Sequence, residues 1–130
     1  MIALDTNILA RYLLKDDAAQ FERANTLLTG PEEFTAPVSV MLELVWVLRV
    51  NGCDRAEIAH ALRILFGLPN FKPHHLTVLV YALKWFETGM DFADALHLAM
   101  SEQEDALSTF DRDFVKAAKR AGAFPEVREA

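Results

Sequence analysis

The stretch "PVSVMLELVWVLRV", residues 37–50, is apolar at every position from Val38 to Leu48 except Ser39 and Glu43. It predicts a helix over 38–50, ended by the "NG" that follows. A helix that is apolar on nearly every side has to be covered by other elements or by a partner. The carboxylate in its middle is the anomaly. Buried without a partner, a carboxylate is strongly disfavoured or gives up its charge. With Ser39 as N-cap, the residue that reaches back in a capping box is Leu42, and Glu43 falls one position too late. An ion pair with Arg49 or another base is the plain alternative, but Arg49 is six residues on and off the same helical face.

Outward from this helix, short strands alternate with helices. "IALD" reads as a strand ending in an acid, and "TNILARYLL" as a helix with Ile8, Leu9, Tyr12 and Leu13 at helical spacing. "DAAQFERANTLLTG" repeats the helical pattern and stops at Gly30, and "EFTAP" is a short strand after Pro31. "DRAEIAHALRILFGL" is an amphipathic helix capped by Asp54, with Glu57 in the capping-box position. "NFKP" reads as a brief extended piece or a loop. "HLTVLVYALKWFETG" and "DFADALHLAMSEQE" read as helices, "DALSTF" as a strand, "RDFVKAAKRAG" as a helix stopping at Gly122, and "FPEV" as a candidate last strand. This alternation favours a parallel sheet with helices on both faces, whose binding crevice lies at the carboxyl ends of the strands.

The chain as a whole narrows the function classes. Its 130 residues suit one domain spanning 1–130, and 52% hydrophobic with 25% charged residues is the composition of a folded protein. A single cysteine, Cys53, excludes an intrachain disulfide or a cysteine metal cluster. The opening "MIALDTNILARYLL" is interrupted by Asp5, Arg11 and Lys15, unlike a signal peptide, and no uncharged apolar run is long enough for a membrane span. A cytoplasmic protein is expected. The net charge of −6 argues against holding nucleic acid by bulk electrostatics, yet allows an enzyme that recruits a polyanion through metal ions. Local cations are Arg11 and Lys15 near the start and Arg112, Lys116, Lys119 and Arg120 near the end.

Each acid has a plain reading. Asp5 and Asp111 follow strands and precede helices, as N-caps do, and Phe110 with Val115 could staple around Asp111. Asp91 and Asp94 resemble a capping box, with one of them serving as the cap. Taken together they are more specific. Asp5 and Asp111 at strand ends, with Glu43 and Asp94 early in helices of the same alternation, fall where one sheet edge gathers all four. Carboxylates so placed repel one another unless a cation sits between them, and a hard divalent ion such as Mg²⁺ or Mn²⁺ takes oxygen ligands. His60, His74, His75 and His97 show no zinc spacing, and His97, on the side of Asp94, reads as a packed or rim residue. There is no phosphate-binding loop, dinucleotide fingerprint or nucleophile elbow.

"ALDTNIL" with Asp5, "SVMLELVWVL" with Glu43, "DFADALHLA" with Asp94 and "LSTFDRDF" with Asp111 together resemble a PIN domain, in particular a VapC-type toxin ribonuclease of toxin-antitoxin pairs. The resemblance runs from residue 2 to residue 114. It implies an α/β/α sandwich around a short parallel sheet and an acidic site for one or two Mg²⁺ or Mn²⁺ ions. Asp5 and Asp94 would be direct metal ligands, and Glu43 and Asp111 would complete the site. Thr6, Asn7 and Thr109 would support those acids, and Asp113 stands as the alternative to Asp111.

The activity implied is metal-dependent endoribonuclease cleavage of RNA by the toxin of a pair, with a small antitoxin that covers the site and a homodimer. Arg11, Lys15, Arg112 and Lys116 are candidates to guide the RNA backbone, or form solvated helix faces. A phosphatase of the haloacid dehalogenase type also places an Asp after its first strand, but usually has a second two residues later, where this chain has Asn7. A non-catalytic interaction module, its acids only caps and ion pairs, is the other rival.

Overall fold

The computed structural model describes residues 1–130. The chain forms two compact units, Met1–Leu76 and Thr77–Ala130. In the first, β1 (Ile2–Ala3) pairs in parallel with β2 (Phe34–Thr35), Ile2 opposite Phe34 and Ala3 opposite Thr35. Between them run α1 (Thr6–Leu14) and α2 (Ala18–Leu28). Phe71 bridges Phe34 in parallel, with Phe34 N–H donating to the Asn70 carbonyl at 2.7 Å and Lys72 N–H to the Phe34 carbonyl at 2.8 Å. The "NFKP" segment is therefore a short extended piece. Lys15, at φ 56°, ends α1 in the left-handed region, and Asp17 caps α2 by accepting from Gln20 N–H at 3.0 Å.

The apolar run forms α3 (Val38–Val50), followed by α4 (Arg55–Phe66). Pro37 is the N-cap of α3, without a side-chain cap bond, so Ser39 is not the cap and Glu43 stands well inside the helix. Met41, Leu44, Val45 and Leu48 are buried, the i, i+3, i+4, i+7 stripe of one helical face, where α3 packs with α1 and α4. The opposite stripe, Ser39, Glu43, Trp46 and Val50, is exposed, with Trp46 and Val50 each at 64%. The expectation that Glu43 is buried is corrected: its helix is covered on one side, and Glu43 lies on the other. The Asp54–Glu57 capping box of α4 is present, with both reciprocal bonds made.

In the second unit, α5 (Leu76–Glu87) and α6 (Phe92–Met100) precede β3 (Ala106–Thr109), α7 (Arg112–Ala121) and β4 (Glu126–Glu129). β3 and β4 pair in parallel from Ala106 opposite Glu126 to Thr109 opposite Glu129. Phe114 and Ala118 of α7 and Val127 of β4 are buried where the helix packs on this pair. Phe86 and Phe92 meet edge to face at 5.6 Å, and Trp85, 3% exposed, meets Phe124 at 5.3 Å. Gly122, at φ 64°, closes α7 in the left-handed region that favours glycine. The mixed α/β fold and its parallel pairing are as expected. The single central sheet is recorded instead as two parallel pairs, one in each unit, because strands of two to four residues form only short ladders. No helix is long and apolar enough to cross a membrane.

The two faces of α3 predict opposite responses to truncation. Leu44→Ala, at a fully buried position, should lower unfolding stability by about 2–5 kcal/mol. Trp46→Ala should change it by less than about 1 kcal/mol, since most of the ring already lies in water. Urea unfolding of both variants beside the wild type measures the difference, and the reverse order would refute this placement of α3.

Candidate functional site

In the first unit the strand-to-helix junction after β1 organises the acids. Leu4 is buried and its N–H donates to the Thr35 carbonyl at 2.8 Å, which fixes the chain as it leaves the sheet. Asp5 is exposed and caps α1, its Oδ1 accepting from Thr6 N–H at 2.8 Å. Thr6 is 3% exposed, and its hydroxyl donates to Oε1 of Glu43. The partner of the exposed Glu43 is thus a buried hydroxyl on the helix α3 packs against, and not Arg49. Asn7 is exposed and faces a groove of about 210 Å³ between α1 and α2, lined also by Ile8, Arg11, Gln20 and Leu27.

The cations expected to guide RNA from this unit have local partners. Arg11 binds both carboxylate oxygens of Asp16, at 2.8 and 3.0 Å, and Oε1 of Gln20 at 2.8 Å. The ammonium of Lys15 lies 5.4 Å from the centre of the Phe21 ring. Both therefore brace the corner between α1 and α2.

In the second unit Asp91 caps α6, its Oδ1 accepting from Asp94 N–H at 3.0 Å. The cap in the D-x-x-D pair is thus Asp91. Asp94, half-buried in the first turn, has its pKa raised from the ordinary carboxylate value by burial first, then by the charges of Asp91 and Asp111, while His97 opposes the shift. Asp111 is exposed and caps α7, with Oδ1 accepting from Asp113 N–H at 2.9 Å and Phe114 N–H at 3.2 Å. Its own N–H donates to the Thr109 hydroxyl at 3.0 Å. Asp113 is exposed in the first helical turn. Arg112 pairs with Glu129 at 2.7 Å, and Lys116 is exposed one turn on.

Both Asp5 and Asp111 are caps, as their plain readings had it, and each cap bond is made by Oδ1. Their Oδ2 atoms, and Oε2 of Glu43, carry none of these bonds. The donor set is of hard oxygens, the kind that suits Mg²⁺ or Mn²⁺. Nowhere do three or more carboxylate, histidine or cysteine side chains stand together as ligands for one ion. The structure joins Asp5, Thr6 and Glu43 by hydrogen bonds and Asp94 to Asp91 and Asp111 by charge.

Two features were not read from the sequence. The groove between α1 and α2 depends on how two amphipathic helices meet, which no local pattern encodes. The exposure of Phe110, at 89%, is the other: no staple with Val115 covers it.

Among curated proteins none matches this chain. A solved structure similar to it is that of VapC20 of Mycobacterium tuberculosis, described as a sarcin-ricin loop cleaving toxin, with 22% identity over 98% of this chain and 99% of that one. The TM-score is 0.43, too slight a likeness to bear on substrate. The PIN domain family model matches residues 2–120, a span that holds Asp5, Glu43, Asp94 and Asp111, and the chain belongs to the PIN domain family.

Proposed function

We propose that residues 1–130 form one PIN nuclease domain that acts in the cytoplasm as a Mg²⁺- or Mn²⁺-dependent endoribonuclease, the toxin of a toxin-antitoxin pair. Asp5, Glu43, Asp94 and Asp111 supply its acidic site, with Asp5 and Asp94 as direct ligands of one or two ions. Family membership supports the nuclease. What supports the metal is the set of hard carboxylate oxygens, Oδ2 of Asp5 and Asp111 and Oε2 of Glu43, that the caps and the Thr6 bond leave uncommitted, and the burial and like charges around Asp94 add to it.

When bound, the ion would lower the pKa of a water and stabilise charge on the phosphate. The chain's own groups do the positioning. Thr6 fixes Glu43 through Oε1, which leaves Oε2 to accept a proton from the attacking water. Thr109 holds the backbone of Asp111, and Asp111 presents Oδ2 while Oδ1 caps α7. Asp113 contributes a second charge in that turn. The products carry 5′-phosphate and 3′-hydroxyl ends. A homodimer and an antitoxin that covers the site belong to the same reading, and the exposed Trp46 and Val50 support a partner on α3. No observation favours the phosphatase or the interaction module.

Purified protein should cut total cellular RNA at discrete positions with Mn²⁺ or Mg²⁺ and stop in EDTA. Glu43→Gln keeps an oxygen for the Thr6 hydroxyl and should lose about 100-fold or more of the rate. Thr6→Val, which releases Glu43, should lose about 10–100-fold. Cuts that persist in EDTA, or that leave cyclic phosphate ends, would exclude this mechanism.

The raised pKa of Asp94 also sets a pH dependence. The folded state holds the Asp94 proton more tightly than the unfolded state, so stability falls as pH rises through the carboxylate range to the folded pKa. Above that pKa the penalty is complete. Asp94→Asn removes it, so in EDTA this variant should melt above the wild type at neutral pH, with the gap narrowing as pH drops. Equal melting temperatures at both pH values would show that Asp94 is not strained by its neighbours.

A further inference from the structure

We infer that Phe110 is a base-binding residue, whose ring stacks on a nucleotide base of single-stranded RNA beside Asp111. This rests on the nuclease reading above. Phe110 is 89% exposed, more than any other large apolar side chain of the protein. A free aromatic ring on an untethered loop would say little, but the residues on both sides of this one are hydrogen-bonded into the fold. Thr109 before it is the last residue of β3, and its carbonyl accepts from Ala130 N–H at 2.8 Å. Asp111 after it is tied to the Thr109 hydroxyl and to the start of α7. The turn therefore holds the phenyl outward, where the packing a staple would have given it is missing.

Its surroundings choose the occupant. Ser108, Asp111 and Arg112 beside it are exposed and polar, so its exposed chain neighbours extend no apolar patch of the kind a protein partner buries. Beyond it the outer face of α7 carries exposed Lys116, Lys119 and Arg120, with Arg112 paired to Glu129 and Asp113 the only acid of the helix. An aromatic platform next to a row of cations suits a single strand: bases stack on the ring and phosphates follow the positive charges, with little dependence on sequence. A ring next to Asp111 would hold a nucleotide flanking the bond to be cut.

The test compares Phe110→Ala, Phe110→Leu and Phe110→Trp. Binding is measured with a short single-stranded RNA carrying 2-aminopurine, in a Glu43→Gln background with Mn²⁺ so that the RNA stays intact; cleavage is measured in the otherwise unaltered chain. Alanine and leucine should each weaken binding and raise KM about tenfold and abolish the quenching of 2-aminopurine, while tryptophan retains all three. The melting temperature and kcat at saturating RNA should not move, since the ring packs on nothing. Quenching that depends on the ring in a protein that cuts no RNA would keep this inference and remove the nuclease reading. The inference is overturned if alanine binds and cleaves like the wild type, if leucine serves as well as tryptophan, if the alanine variant instead loses self-association, or if the unsubstituted ring gives no binding.

Discussion

The hydrogen bond from the Thr6 hydroxyl to Glu43 is the constraint on which the first half of the acidic constellation depends. Thr6 is almost wholly buried, so its hydroxyl needs an acceptor inside the fold. Glu43 lies on the exposed side of α3, so its carboxylate keeps contact with water while one oxygen is fixed. The bond links α1 to α3, and the same residue gives its N–H to Asp5. One threonine therefore sets the position of two acids from different elements. A hydrogen bond to a charged acceptor contributes about 1.5–3 kcal/mol, more than an exposed ion pair.

The second unit repeats the device with different parts. Thr109 accepts from the Asp111 backbone, and Asp111 accepts from two N–H groups of α7. A helix start anchors an acid without consuming it: one oxygen satisfies the open N–H groups, and the positive end of the helix favours the negative charge. Asp94 differs because Asp91 makes the cap and Asp94 contributes only its N–H. Burial and two like charges then act on Asp94 together. Asp94 thus carries a charge its surroundings oppose, whereas Asp5 and Asp111 carry theirs at helix starts that favour it.

Local chemistry was legible in the sequence where one turn of chain decides it. The Asp54–Glu57 capping box, the stop at Gly122 and the presence of a cap in the Asp91–Asp94 pair all follow from neighbours within four residues. What failed did so where composition concealed geometry. Ser39, Glu43, Trp46 and Val50 recur at spacings of three and four and form the exposed side of α3, yet two of them are apolar, so the run read as buried all round. The partner of Glu43 was out of reach for another reason: it lies 37 residues away and depends on how α1 packs on α3. The local partners of Arg11 and Lys15 were out of reach in the same way, because Asp16, Gln20 and Phe21 become their neighbours only once the chain turns between α1 and α2.

Charge follows the same division between the whole and the part. A net charge of −6 repels polyanions at a distance and keeps indiscriminate binding to nucleic acid weak. The outer face of α7 is the opposite, its four cations set against Asp113 near the helix start and Glu129, which pairs with Arg112. Screening confines each influence to roughly 8 Å at physiological salt, so a chain arriving at α7 feels that face rather than the total. In the reading proposed above, binding of a polyanion to that face weakens as salt rises, while the partly buried Thr6–Glu43 bond is screened less. In that reading recruitment and positioning fall to separate residues, and ionic strength acts chiefly on the first.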